Sequence, residues 1–364
     1  MARRKTLSPF KTSTSIQDVA RSAGVSTATV SRVLNSPDLV AAETAQKVRK
    51  AVAELGYKPN LFAKGLMTRK SQVLGIALPD LHGEFYSALL HGADDEARRH
   101  GYQLLVSTDA RRNGGGGGGG AGDNGAAPVE QLDLTFGIVE GIALMITQPQ
   151  DELVRRAMAT GLPLVVMDAE VKTPGGTVDC VLVDNVSGTV EATIHLAERT
   201  PRERIYFVGG PEGNFDTRIR ADAFAATLKS HGNGRAPGPT QMAYKEYTEA
   251  WGYEWAERAN REGRLKGSAV LCADDEIAVG VLQAAEDMGL RVGGGDEGGA
   301  SVRIVGFDDT RIASIVRPKL SSVKVPLKDV GAGAVQLLLR RIEEPDAPAN
   351  VMRLPTKLVV RQSS

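Results

Sequence analysis

SIQDVARSAGVSTATVSR, residues Ser15–Arg32, reads as two short helices joined by a tight turn. Ser15 and Asp18 have the spacing of a capping box, which opens a helix with an acid near its positive end. Ile16, Val19, Ala20 and Ala23 then form one apolar face. Gly24 is free to take positive φ at the turn, and Val25 is an apolar plug between the helices. Ser26 is placed to cap the second helix, whose Val30, Val33 and Leu34 face inward. Thr27, Ala28, Ser31 and Arg32 are left outward near the helix start, where a recognition helix meets bases and phosphates. An ordinary helical hairpin has the same pattern, so the rest of the chain has to decide.

Charge supports the nucleic-acid reading. The 364-residue chain is neutral overall, with 44 basic and 44 acidic residues. Residues 1–70 nonetheless hold 13 Lys and Arg against 4 Asp and Glu, and the remainder holds 31 against 40. A basic module on an acidic body is the footprint of a DNA-binding domain joined to a domain that does not touch DNA.

Composition excludes several classes. The only cysteines, Cys180 and Cys272, each lie in an apolar run and read as buried reduced thiols; two cysteines cannot build a zinc site. No 18-residue apolar stretch suggests a membrane span, and the basic N-terminus has no apolar core behind it to make a secretion signal. Length allows two or three domains. No cofactor is expected.

Beyond Arg32 a third helix is predicted over 42–55, with Ala45, Val48, Val52 and Leu55 as its stripe and Gly56 as its stop. From Val73 the rhythm changes. Apolar runs at 73–78, 102–107, 141–146, 162–168, 180–184, 204–210, 268–273 and 302–307 alternate with amphipathic stretches at 85–100, 151–160, 188–198, 217–230 and 276–288. Near-continuous apolar strands joined by helices indicate parallel sheets covered on both faces, and their number favours two doubly wound lobes. Residues 113–127, with seven consecutive glycines, and GGGDEGG at 293–299 read as surface insertions rather than phosphate loops, whose glycines are spaced.

IQDVARSAGVSTATVSRVLN (16–35) and LGYKPN (55–60) resemble the lactose/galactose repressor (LacI/GalR) family of bacterial transcription regulators. The likeness continues through LGIALPD (74–80), VDN..G (183–188), VGGP (208–211), ADDEIAVGVLQAAEDMGLRV (273–292), VGFDD (305–309) and LPTKLVVRQSS (354–364). It implies a disordered basic arm over 1–14, a small all-α helix-turn-helix domain over 15–59 and a hinge helix over 60–70. An α/β two-lobed, periplasmic-binding-protein-like domain of two doubly wound parallel sheets, which binds effector and dimerises, follows over 71–364.

By the same resemblance, Thr27 and Ala28 set base preference and Arg32 reaches a guanine edge or phosphate. Ser26, Thr29 and Ser31 would hold the DNA backbone. Asn60, Ala63 and Leu66 belong to the hinge, with Leu66 the wedge into the minor groove. Effector contacts fall on Asp80, Phe85, Thr147, Asp168, Arg218, Tyr247, Asp274 and Asp308, with Trp251 a second candidate for stacking on a sugar; Asp275 and Asp309 read as caps.

The implied protein is a cytoplasmic, nucleoid-associated homodimeric repressor of carbohydrate-utilisation genes. It binds a pseudo-palindromic double-stranded operator under control of a small sugar-like effector, without a membrane and without enzymatic activity. A dimer rather than a tetramer is expected, because LVVRQSS carries no heptad extension. Alternatives are a solute-binding protein of similar fold, which would carry a signal peptide and no basic domain, and a regulator responding to a nucleobase-like corepressor. A nucleotide-dependent enzyme would need spaced glycines after the first strand, which LGIALPDLHGEF lacks.

Five departures from the family pattern stand out. Gly65 and Ala41 replace a polar residue and a capping serine. Asp274 stands where a neutral asparagine is common, and Ala169 stands where an arginine is frequent. His82-Gly83-Glu84 replaces the usual Asn-Pro after the first strand.

Overall fold

The computed structural model describes residues 14–35, 37–57, 71–79, 81, 83–108, 138–146, 152–173, 176–231, 236–294 and 301–364. The chain divides into two compact units between Ser71 and Gln72.

The first unit contains α1 (Ile16–Ala23), α2 (Thr27–Asn35) and α3 (Ala42–Leu55). The capping box forms: Ser15 Oγ accepts from Asp18 N–H, and the Asp18 carboxylate accepts from Ser15 N–H. Gly24 closes α1 at φ 67°. The small core is Val19, Ala20, Val30, Val33, Ala45, Val48 and Ala51. Ala51, not the expected Leu55, completes the α3 stripe; Leu55 is exposed in the last turn before the Gly56 cap, and its carbonyl accepts from Thr14 Oγ1. Ala41 offers no side-chain cap to α3. The expected hinge, with Asn60, Ala63, Gly65 and Leu66, lies outside the described residues.

The second unit has two lobes. The first is built from β1 (Val73–Leu78), α4 (Gly83–Arg99), β2 (Gln103–Thr108), β3 (Gly141–Met145), α5 (Glu152–Ala159), β4 (Leu164–Met167), the small hairpin β5 (Lys172–Thr173) and β6 (Gly176–Thr177), and β7 (Asp179–Val183). The chain then crosses into α6 (Asn185–Ala197), β8 (Ile205–Gly209), α7 (Phe215–His231), β9 (Met242–Tyr244), α8 (Glu249–Arg261), β10 (Ala269–Cys272), α9 (Asp275–Asp287), β11 (Arg303–Asp308), α10 (Arg311–Ile315) and β12 (Ser321–Lys324). It returns for α11 (Leu327–Glu343) and β13 (Val351–Leu354), then crosses a third time to β14 (Lys357–Val359).

The sheet orders are β13-β7-β4-β3-β1-β2 and β14-β12-β11-β10-β8-β9, parallel except where β14 meets β12. Burial explains the apolar runs. In β3, Ala143 and Met145 join the core under α4 and α11, while Ile142 and Leu144 pack on the α5 side. Each lobe holds one helix pair in backbone contact. A Cβ on Gly92 would lie 1.9 Å from the Lys328 carbonyl, joining α4 to α11, and one on Gly280 would lie 1.9 Å from the Glu249 carbonyl, joining α9 to α8. Cys180 and Cys272 are buried free thiols. Among the described residues no helix is long and apolar enough to cross a membrane.

Three strands of chain connect the lobes, at Asp184, Val325-Pro326 and Pro355-Thr356. They are tied to one another at two of these points. Thr356 Oγ1 donates to the Asp184 carbonyl (2.8 Å), and Asp184 N–H donates to the Leu354 carbonyl (2.9 Å). The lobes therefore share a narrow waist and face each other across a cleft at the carboxyl ends of their strands, the place where doubly wound sheets bind ligands.

Candidate functional site

The first unit presents α2. Ser26 Oγ accepts from Thr29 N–H (3.1 Å) and contacts Thr29 Oγ1 (2.9 Å), so these hydroxyls set the helix start. Thr27, Ala28 and Arg32 are exposed along one side, whereas Thr29 and Ser31 are half-buried. Two short side chains and one long cation make a surface able to approach a groove closely, with Arg32 the long-range donor.

The cleft holds the other cluster. Asp168 follows β4, Asp274 follows β10 and Asp308 ends β11; all three are buried. Asp168 and Asp308 sit at φ 63° and 96°. A non-glycine residue in that region costs about 1–3 kcal/mol and marks a position held by its surroundings. Asp216 lies in the first turn of α7.

One guanidinium serves them, and it is Arg220. Its Nε donates to Asn185 Oδ1 (2.8 Å), Nη1 donates to the Ala273 carbonyl, and Nη2 lies 3.8 Å from Asp308 Oδ1. Its plane lies 3.8 Å from the centre of the Phe307 ring. Asn185 Nδ2 in turn donates to Asp216 Oδ1 (2.7 Å). A chain of polar contacts thus runs from Asp216 through Asn185 and Arg220 to Asp308.

Burial raises every one of these carboxyls. Asp168 stands well above the ordinary range, with Asp216 adding to the effect and Arg220 opposing it. Asp274 is pushed well above by burial and by Asp308. Asp216 is raised by burial against the pull of Arg220. Asp308 reaches about 6, burial outweighing the attraction of Arg220. Asp275 is raised to about 8 by burial and Asp308, although its oxygens accept from Thr310 N–H (2.7 Å), Thr310 Oγ1 (3.0 Å) and Ser322 Oγ (2.6 Å).

Several sequence expectations change here. Arg218 is exposed; Arg220, two residues on and on the opposite side of α7, takes the buried place. Trp251 is a core residue, its indole N–H donating to the Gly209 carbonyl (3.0 Å), and so is not free to stack on a ligand. Tyr247 does border the cleft: its hydroxyl donates to Asn214 Oδ1 (3.0 Å) and contacts Thr217 Oγ1 (2.6 Å). The caps are reassigned. Asp274 is the residue that caps α9, accepting from Ile277 N–H (2.8 Å), while Asp275 ties α9 to the segment after β11. Asp309 is no cap either, being paired with Arg361 at 2.7 Å. Phe85 is half-buried and edge-on to Tyr86 in the first turn of α4. Asp80 and Thr147 lie outside the described residues.

Asn185, Asp216 and Arg220 were not among the expected ligand contacts. The signal for Arg220 was present: Thr217, Ala221, Phe224 and Leu228 make the buried stripe of α7, and 220 falls inside it while 218 does not.

The departure at Glu84 also finds a place. From the first lobe its carboxylate accepts from Ile312 N–H (3.0 Å) and Arg311 Nε–H (3.3 Å) of the second, bridging the cleft mouth. Beside it, Gly83 sits at φ 83°, a conformation that favours glycine, and a Cβ there would push the Glu276 carboxylate aside.

Comparison with known proteins agrees with this architecture. Residues 15–60 match the family described as bacterial regulatory proteins, lacI family, and residues 193–364 match a periplasmic binding protein-like domain. Catabolite control protein A from Staphylococcus aureus is 31% identical over 346 residues, spanning 91% of this chain and 94% of its own. The lac repressor dimer bound to operator and the anti-inducer ONPF superposes with a TM-score of 0.78 at 25% identity, over 97% of this chain and 99% of that one. The transcriptional regulator CelR in complex with cellobiose gives 0.68 at 25% identity, over 96% and 100%. The chain therefore belongs to the lacI family of bacterial regulatory proteins, DNA-binding regulators of transcription built from a helix-turn-helix domain and a two-lobed periplasmic-binding-protein-like domain.

Proposed function

We propose that this protein is a dimeric, cytoplasmic repressor whose grip on a pseudo-palindromic operator is set by a small carbohydrate-like ligand held in the cleft. The observation that carries the reading is the ring of buried, hydrogen-bonding acids around Arg220 at the strand ends. Carboxylates and a guanidinium converging on a cleft suit paired hydrogen bonds to neighbouring hydroxyls. The relatives crystallised with operator and with cellobiose support both ends of the scheme. The protein acts as a binder: its relatives are transcription regulators, and the cleft acids Asp216 and Asp308 are linked through Asn185 and Arg220.

Coupling runs by population shift. Ligand favours one relative setting of the lobes through differential contacts, and the dimer's paired DNA-binding segments follow. Thr27, Ala28 and Arg32 read the half-site. Ser26, Thr29 and Ser31 contact the backbone, and Asn60, Ala63 and Leu66 act in the hinge, with Leu66 entering the minor groove at the operator centre. Two-fold symmetry of the protein imposes the two-fold site.

The test is a mobility-shift titration of full-length protein on operator DNA. Leu66→Ala is expected to abolish specific binding and leave weak, salt-sensitive association. Unchanged operator affinity would sink the hinge assignment.

A further inference from the structure

The cleft holds far more acidic side chains than basic ones. Among the described residues Asp168, Asp216, Asp274 and Asp308 face a single cation, Arg220, whose Nε and Nη1 already have partners. Nε is used by Asn185, Nη1 by the Ala273 carbonyl, and stacking on Phe307 fixes the guanidinium plane. Nη2 stays 3.8 Å from Asp308, beyond hydrogen-bond reach. Asp216 and Asp274 each have one oxygen partnered, by Asn185 Nδ2 and by Ile277 N–H. The Asp308 side chain is only 9% exposed, and its buried Oδ1 has no hydrogen-bond partner among the described residues.

A buried acceptor left open beside three further acids calls for a donor that also brings charge. A neutral polyol supplies O–H groups but leaves the repulsion among the carboxylates in place. An ammonium supplies three N–H donors and a positive charge on one atom. Resting on the reading of the cleft as the effector site, we propose that the effector is an aminated sugar or polyol, its ammonium seated on Asp308 and the acids facing it. Asp216 and Asp274 are then specificity residues that select for charge. Asp274 can do so while capping α9, since the cap uses only one of its oxygens.

The experiment is calorimetric titration of the full-length protein at pH 7 with glucosamine and galactosamine, each beside its neutral partner (glucose, galactose) and its N-acetyl form. The amine is expected to bind about ten-fold or more tightly than either neutral counterpart, the preference of a desolvated anionic site for an opposite charge. Asp274→Asn, which keeps the cap acceptor, and Asp216→Asn are each expected to narrow that ratio toward one by weakening the amine more than its neutral partners. Binding of the amine is also expected to release protons, because its charge ionises carboxyls that are partly protonated beforehand. The measured heat then differs between phosphate and Tris buffers, a signature independent of any variant. Neutral sugars binding as tightly as their amines would overturn the charge inference and leave the cleft as a carbohydrate site. No member of the panel producing heat or shifting the melting transition would overturn the carbohydrate reading itself.

Discussion

Replacing Asp308 with asparagine changes how stability depends on pH, and the size of the change follows from the burial of this carboxyl. In the unfolded chain an aspartate titrates near 3.9. In the folded cleft Asp308 titrates at about 6, because burial outweighs the attraction of Arg220. The folded state therefore holds the proton more tightly. The stability this contributes is complete below the unfolded value and is lost as pH rises through the folded one. Two pKa units at 1.36 kcal/mol each give about 3 kcal/mol in total, of which about 1.3 kcal/mol disappears between pH 5 and pH 7. The groups facing Asp308 are Arg220, Asp168, Asp216, Asp274, Asp275 and Glu276. Their own titrations add to the wild-type slope, and because Asp308 helps raise Asp168, Asp274 and Asp275, the difference between the two curves reads Asp308 together with that coupling. The assay is urea unfolding of full-length protein at half-unit pH steps, followed by tryptophan fluorescence. Both tryptophans, Trp251 and Trp255, lie in α8 and report on the second lobe. Asp308→Asn alters the absolute stability as well, through the contact with Arg220, so the offset between curves carries no weight. Parallel wild-type and variant curves from pH 5 to 7 would refute the reasoning, since Asp308 would then titrate as an exposed carboxyl does.

Other expectations are simpler. Glu84→Gln weakens the bridge across the cleft mouth, an exposed pair worth at most about 1 kcal/mol; ligand affinity by calorimetry should fall by up to about five-fold while the melting temperature hardly moves. Ala41→Ser gives α3 the cap it lacks and should stabilise the helix-turn-helix unit by about 1 kcal/mol, seen as a higher melting transition for that unit in scanning calorimetry. Gly280→Ala drives a methyl into the Glu249 carbonyl and should cost about 3 kcal/mol or more, measured as a lower urea midpoint.

The layout of the fold was legible because local chemistry and tertiary structure agree in most of this chain. Ser15, Asp18 and Gly24 specify the first helix and its turn by short-range hydrogen bonding alone, and the structure forms those bonds. VLGIAL at 73–78 became a strand to the residue, since a strand covered on both faces has no polar positions to blur its ends. The closing segments were less legible. In β13, Val351–Leu354 is half-buried at a sheet edge and pairs with β7, some 170 residues earlier. That pairing is a property of the returning chain and leaves little mark on four residues. The helices over 249–261 and 327–343 went unread for a related reason: Gly252, Gly331 and Gly333 interrupt their patterns, yet Gly252 and Gly331 are the positions where backbone approaches backbone.

The exchange of Arg218 for Arg220 shows how site chemistry hides behind a correct motif. Two arginines two residues apart point about 200° apart on a helix, so only one can face the cleft. A guanidinium reads as a surface group until its partners are known, which favours the wrong member of the pair. The deciding evidence lies in the neighbours: Thr217, Ala221 and Phe224 define the buried side, and Arg220 sits among them. Such a residue is tolerated there only because Asn185, the Ala273 carbonyl and the acids receive it. Those partners come from a lobe crossover and from two different strand ends, brought together by the fold and unrelated in sequence. The acids could be nominated one at a time from their places after strands. That they outnumber the cations, and leave one buried oxygen unanswered, emerges only once they are assembled. Burying so many acids raises their hold on protons in the ligand-free protein, and the proposed ammonium would offset that burial.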